Sequence, residues 1–358
     1  MRKIDKYIIG KFLTTFFYCI GLIVVVTIVF DISEKLDDFL EKHAPLKAIV
    51  FDYYINFIPY FVNLFSPLFL FISVIFFTAQ MANRTEIIAI MNAGVSFKRL
   101  LRPYMIASGI LAILTFFLGS YIIPHAKENQ LAFENKYIKN PYRLINKNIH
   151  RQVKPGEFIY FESYNNFDKQ GYMFTYEKFS SKALVYKMTA DRIAWDSVAG
   201  KWKIEDYFIR TFDGQHESFQ KGATLDTVFP FKDNDFSHRP NFIEGMDNIE
   251  LRKHIEKEKL RGTENIQYAE VEYYQRYSFP YAMFVLTVMG VSIAFRKVRG
   301  GIGLQIVAGI LLSFTYIMFM KISITFATNS NVPSIIAVWI PNMLYTLIAL
   351  WMVSKAQK

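Results

Sequence analysis

The chain has 358 residues, 52% of them hydrophobic, with 35 phenylalanines and a mean hydropathy of +0.18. Yet 20% of the residues are charged, so the chain cannot be membrane throughout. The formal charge of +10 comes without a basic patch interleaved with aromatics, which argues against a nucleic-acid partner. The lone Cys19 excludes an internal disulfide.

The N-terminus sets Arg2, Lys3, Lys6 and Lys11 against Asp5, and a charge-poor run then extends from Phe12 to Phe30. That run is longer than the h-region of a signal peptide and lacks a convincing small-residue cleavage site, so it is expected to remain as a membrane span. An acidic stretch follows (Asp31, Glu34, Asp37, Asp38, Glu41), with Lys35, Lys42 and Lys47 among it. The second run, Tyr53 to Thr78, contains Pro59 and Pro67, which membrane helices tolerate and which can bend them. The third covers Pro103 to Ile123. After a long polar stretch come Tyr277 to Phe295, Ile302 to Phe326 and Val332 to Val353. Each run is near or above the roughly 20 residues that cross ~30 Å of hydrocarbon. The expected fold is a membrane α-helical bundle of six transmembrane helices, three plus three, around one water-exposed domain. Helices 1–3 fall in residues 1–124, the exposed domain in 125–276 and helices 4–6 in 277–358.

The loop between the second and third runs, Asn83 to Ser96, reads as a short helix over about 84–94. Thr85 is placed to cap its N-terminus, and Glu86 sits in the first turn, where the helix dipole favours a carboxylate. Ile87, Ile90 and Met91 fall at i, i+3 and i+4 and make one apolar face. Gly94 supplies the stop. A helix held out of the bilayer in this way is offered to a partner.

Arg84, Lys98, Arg99 and Arg102 surround that helix, Arg296-Lys297-Val298-Arg299 lies between the fourth and fifth runs, and Lys355 and Lys358 lie in the tail. If the helices alternate, these segments and the basic N-terminus share one side. The positive-inside rule makes that side cytoplasmic, with both termini there and the large domain outside. Arg84, Lys98 and Arg99 are read as positive-inside residues at lipid phosphates.

The outer domain opens as a polar helix through Glu128, Leu131, Phe133 and Tyr137, ending near Asn140-Pro141. Strand signals follow at Glu157–Glu162 and Tyr172–Tyr176, then a hairpin of Ala183–Trp195 and Lys201–Phe212 around Asp196–Gly200, then Ala223–Phe231. Short strands at this spacing predict an all-β sandwich or jelly roll. From Asp247 the pattern is helical again, broken by Gly262, and Asn265–Tyr277 leads into the fourth span. None of the six histidines sits at metal-ligand spacing; His254-Ile255-Glu256 belongs to a solvated helical face. No Gly-x-x-x-x-Gly-Lys-Ser/Thr occurs, so the chain has no P-loop for ATP and no cofactor is expected.

Over its whole length the sequence resembles the LptF/LptG permease family of the lipopolysaccharide exporter. Three features carry the resemblance: the three-span, β-domain, three-span layout; the segment Thr85 to Ser96, similar to the family's coupling helix; and the fifth-span opening Gly303-Leu304-Gln305-Ile306-Val307-Ala308-Gly309-Ile310, which leans towards the LptG branch. The resemblance implies a bacterial inner-membrane ABC transporter permease without a nucleotide site of its own. It implies an LptB-like ATPase dimer, a second LptF/LptG-type permease, a periplasmic jelly roll, and LptC- and LptA-like proteins that carry lipopolysaccharide onward for outer membrane biogenesis. On this reading Glu86 couples to an arginine of the ATPase, with Ile87, Ile90, Met91 and Gly94 as the packed face. The competing reading of Glu86 is a carboxylate placed only for the dipole. A phosphorylated, acylated substrate calls for cations at outer headgroup level and apolar walls below. Lys35 and Lys42 follow the first helix, and Lys321 lies about 19 residues into the fifth span, ~28 Å at 1.5 Å per residue. A lysine there can equally snorkel without function. The family's phosphate-contacting lysines lie in the outer part of the first span; Lys35 is the nearest match, crowded by Asp31, Glu34, Asp37 and Asp38. Phe61, Phe65, Phe69 and Phe319 are expected as cavity walls, against ordinary helix packing as the alternative.

Two other classes compete. An ion-coupled carrier would bury ionisable pairs near the midplane, and the six runs contain no Asp or Glu. A membrane-anchored envelope scaffold or receptor would have no ATPase partner and would tolerate Glu86→Ala.

Overall fold

The computed structural model describes residues 3–138, 145–181, 183–214, 216–236, 240–262, 266–296, 301–330 and 332–356. Its first helix, α1 (Lys3–Glu41), is unbroken for 39 residues, about 58 Å at 1.5 Å per residue. That is nearly twice the ~30 Å of a hydrocarbon core, so the apolar middle is flanked by helical extensions carrying Asp5 at one end and the acidic Asp31–Glu41 segment at the other. Helix α2 (Leu46–Asn83) and helix α4 (Phe97–Tyr137) are as long, and between them lies the short α3 (Glu86–Asn92). Each long helix absorbs its irregularity in a π turn: Ile49–Tyr54 in α2 and Leu118–Ile122 in α4. The second turn directly precedes Pro124, whose missing N–H would otherwise leave a regular helix one bond short.

Two compact units emerge, residues 1–138, 244–249 and 267–358 in one, and 139–243 and 250–266 in the other. In the first, α2 packs against α1, α4 and α7 (Gly301–Asn329), and α7 packs against α8 (Ser334–Ala356). Helix α6 (Ile266–Ala294) completes the set. Among the described residues six helices, α1, α2, α4, α6, α7 and α8, are long and apolar enough to cross a bilayer. Their interior is mostly apolar, and some of its polar groups are paired across helices: Tyr316 Oη donates to Asn342 Oδ1 at 2.9 Å, and Thr78 Oγ1 to Tyr104 Oη at 3.1 Å.

The second unit holds one antiparallel sheet of six strands, β1 (Ile145–Lys154), β2 (Glu157–Asn165), β3 (Gln170–Ser180), β4 (Ala183–Asp196), β5 (Lys201–Asp213) and β6 (His216–Thr227). The inserted β domain expected from the sequence is present, and its strand order is that of a meander, each strand paired with its sequence neighbours. Strand β5 buries Trp202 and Ile204 with the period of two that a one-sided sheet requires, and after an irregularity at Asp206 (φ +52°) buries Tyr207 and Ile209 with the same period. Phe161, Phe174, Ile193, Trp202 and Ile204 form the core, covered by Phe229, Phe231 and Phe236. Trp202 Nε1 donates to the Phe231 carbonyl at 3.1 Å, so the buried indole keeps its partner. The last strand lies earlier than the sequence suggested: β6 ends at Thr227, and Phe229 and Phe231 follow it to cover the sheet. Strand β1 was not expected, because its sequence is polar apart from Ile145, Ile149 and Val153. The expected helix end at Asn140-Pro141 lies outside the described residues.

Helix α5 (Asn248–Arg261) is anchored within this unit by Asp235, whose Oδ1 accepts from Arg261 at 3.0 Å and Lys257 at 3.2 Å. Burial alone pushes the Asp235 carboxyl up. The Lys232 N–H and the Arg261 and Lys257 charges outweigh that and hold it below the usual carboxylate value. A carboxyl held low contributes its stability above the ordinary value of ~3.9 and loses it as pH falls through the folded value. Asp235→Asn is therefore expected to cost about 2 kcal/mol at neutral pH, since it removes charge-assisted bonds from the buried Arg261. The difference from wild type should shrink towards zero below pH ~3.9. Urea unfolding of the intact chain, followed by tryptophan fluorescence across that range, checks it.

Candidate functional site

The short helix between α2 and α4 has the expected place but a different N-terminus. Thr85 adopts a left-handed conformation (φ +60°), and its hydroxyl donates to the Arg84 carbonyl at 2.6 Å, so it does not cap α3. The chain turns out of α2 at Thr85, whose N–H reaches the Ala82 carbonyl at 3.1 Å. At the other end Gly94 (φ +82°) provides the stop, its N–H reaching the Met91 carbonyl at 3.0 Å. Ile87 is turned inward at 1% exposure, and Ile90 and Met91 are half-buried on the same bundle core. The outward surface of α3 is instead Ile88, Ala89 and Asn92. Glu86 is half-buried, and its Oε2 accepts from Tyr7 Oη of α1 at 3.2 Å. Beside it Arg99 donates both Nη atoms to Asp5 at 2.9 and 2.8 Å, clamping the start of α4 to the start of α1. Arg99, read from sequence as a lipid-facing charge, is thus spent on an intramolecular fork.

At the far end of α1, Lys35 is not an open cation. It pairs with Asp31 one turn back, donates to Tyr53 Oη, and lies over the Tyr53 and Phe57 rings at 4.9 and 5.7 Å. Tyr54 Oη donates to the second oxygen of Asp31 at 3.1 Å. Lys42 is half-buried just past the end of α1. Phe61, Phe65 and Phe69 form a row on α2 at i, i+4, with ring centroids 5.7 and 6.4 Å apart. Phe69 and Phe319 are packed on the bundle core, and Phe61 on the aromatic cluster around Tyr53.

Lys321 and Phe65 meet elsewhere, in a cavity of about 430 Å³ bounded by α2, α4, α6, α7 and Glu244. Its walls include Leu64, Leu68, Phe279 and Ile317, and its polar groups are Tyr60, Asn63, Glu244, Glu272, Gln275, Arg276, Tyr316 and Lys321. Glu244 pairs with Lys127 at 3.1 Å, and Glu272 with Arg276 Nε at 3.2 Å. The structure therefore brings Phe65 and Lys321 together and leaves Lys35 in separate surroundings.

A family model for the lipopolysaccharide export system permease LptF/LptG matches residues 6–355, nearly the whole chain. The chain belongs to the LptF/LptG family. No curated protein matches it. As an LptF/LptG permease it is a transport subunit rather than a catalytic one, and its six apolar helices make it a multi-pass inner-membrane protein. The match does not separate the F branch from the G branch.

Sequence reasoning missed the charged half of the permease's cavity. Glu272 and Arg276 lie just before the apolar run that begins at Tyr277, yet both belong to the same unbroken helix α6. The available signal was the spacing Glu272, Arg276, an i, i+4 ion pair leading straight into a span. Glu244 carried no signal at all, since it joins the site through a short turn (Pro240–Gly245).

Proposed function

We propose that this permease forms one half of a permease pair, takes lipopolysaccharide from the inner membrane and passes it to LptC- and LptA-like jelly-roll proteins, driven by a separate LptB-like ATPase. The whole-length family match carries the reading. It is supported by α3, a short helix held at the end of two spans with an outward surface that its own bundle does not cover. The α3 end and both chain termini are cytoplasmic in this proposal, by the positive-inside rule, and the β unit is periplasmic. Glu86 and Ile88 meet the ATPase; Ile87, Ile90 and Met91 seat the helix on the bundle, so that movement of α3 is passed to α1 and α2; Gly94 sets where the helix ends.

The second permease lies along α1 and α7, whose apolar windows are only 17% and 28% buried, the least of the six. Lys35 and Lys42 face the substrate's phosphates at headgroup level, Lys35 only after release from Asp31, with Phe61 and its row below. Depleting the chain in its own bacterium tests the proposal: newly made lipopolysaccharide is expected to accumulate in the inner membrane. An unchanged distribution between the two membranes would leave the scaffold reading standing instead.

A further inference from the structure

The cavity between α2, α4, α6 and α7 lies inside a single permease and contains three buried polar atoms without a hydrogen-bond partner, one of which, Glu244 Oε2, is in an ion pair with Lys127. Arg276 is 6% exposed; its Nε and Nη1 are taken by Glu272 and Asn248 (3.2 and 2.9 Å), and its Nη2 has no hydrogen-bond partner. Asn63 Oδ1 is likewise buried and unpaired. Buried polar atoms in native proteins are almost always satisfied, so an unpaired donor and an unpaired acceptor in one cavity call for a ligand that offers both complements. Lys321, also in the wall, is exposed and forms no ion pair among the described residues. Around the cavity Lys127, Arg276 and Lys321 stand against Glu244 and Glu272, leaving one positive charge. The remaining wall is mostly apolar, with Leu64, Leu68, Phe279 and Ile317 beside Tyr60, Gln275 and Tyr316.

We propose that this cavity binds a glycerophospholipid of the surrounding bilayer, its phosphodiester on Arg276 and Lys321 and its headgroup donor on Asn63. The single net charge matches a phosphodiester, which carries one negative charge, better than a phosphate monoester, which carries about −1.5 to −2 at neutral pH. A charged guanidinium Nη2 and an ammonium are suited to phosphate oxygens. The unpaired Asn63 oxygen needs a donor, which ethanolamine and glycerol headgroups carry and choline lacks. About 430 Å³ accommodates a headgroup and the roots of its chains, which leave along the apolar wall. A disaccharide bearing many acyl chains does not fit. The site shares Phe65 with the aromatic row of the substrate path proposed above, and its lipid specificity does not depend on that path.

Native mass spectrometry of the full chain tests this. The protein is delipidated in detergent and offered equal amounts of phosphatidylethanolamine, phosphatidylglycerol, phosphatidylcholine and purified lipopolysaccharide. The wild type is expected to retain one phosphatidylethanolamine or phosphatidylglycerol per chain. Arg276→Gln should lower retention about tenfold, the scale of a lost buried charge-assisted bond. Lys321→Gln, at an exposed position that folding does not need, should lower it about threefold. Asn63→Leu should erase the preference over phosphatidylcholine, and Ile113→Ser, on an exposed face of α4, should change nothing. The proposal is overturned if phosphatidylcholine binds the wild type as well as phosphatidylethanolamine does, if lipopolysaccharide is the only lipid retained, or if neither Arg276→Gln nor Lys321→Gln lowers retention.

Discussion

Glu86→Ala is expected to reduce the ATPase that co-purifies with the permease by about tenfold or more, while Tyr7→Phe leaves it within about twofold. The asymmetry follows from the two environments of the carboxylate. Its bond from Tyr7 is 3.2 Å long and exposed, the class of hydrogen bond that contributes least. A charge pair desolvated between two proteins typically costs 2–5 kcal/mol when one partner is truncated, and each 1.4 kcal/mol is about tenfold in binding. Gentle detergent purification of tagged wild type and both variants, with the bound ATPase quantified, decides the matter. Equal loss in both variants would make Glu86 a strut of its own bundle. No loss in either would remove α3 from the coupling account.

The second large effect concerns Asp31. This carboxylate is 9% exposed and answers three groups at once: Lys35, Tyr53 Oη and Tyr54 Oη. Asp31→Ala leaves an ammonium with 21% side-chain exposure facing two aromatic rings and no counter-charge, and two buried hydroxyls without their acceptor. The expected cost is about 3 kcal/mol, since breaking a largely buried pair from one side strands the other charge. Lys35→Met should be milder, about 1 kcal/mol, because its methylenes still cover Tyr53 and Phe57. The double variant should recover most of the loss, since it strands no charge. Thermal unfolding of the detergent-purified chain measures all three. A double variant no more stable than Asp31→Ala would show that the ammonium is not the stranded group.

Much of the fold was legible because hydrocarbon is an uncompromising solvent. Runs such as Phe12–Phe30 and Val332–Val353 have no soluble alternative of equal length and apolarity; the first lies within one long helix, and so does the second from Ser334 onward. The hairpin around Asp196–Gly200 was legible because Asp196 Oδ1 accepts the Val198 and Ala199 N–H groups, at 2.8 and 3.0 Å, a local bond that the sequence itself encodes. What the sequence hid was tertiary. The spacing of Ile87, Ile90 and Met91 identifies an apolar face but not what covers it, and the bundle core does. Four acids crowd Lys35 in sequence; the helical repeat allows Asp31 and Asp38 alike, and Tyr53 and Tyr54 of α2 mark Asp31 as its partner. Arg276 and Glu244 are 32 residues apart in number and share a cavity that no local pattern announces.

In the proposed function, energy supplied by a partner moves lipid through this chain. Proteoliposomes containing the permease with its co-purified partners and fluorescent lipopolysaccharide test it directly, with soluble jelly-roll acceptor outside. The account predicts that lipopolysaccharide moves to the acceptor only when ATP is present, and that the Glu86→Ala protein fails to move it. Transfer that proceeds equally without ATP, or ATP turnover that leaves the lipid in the membrane, would contradict it.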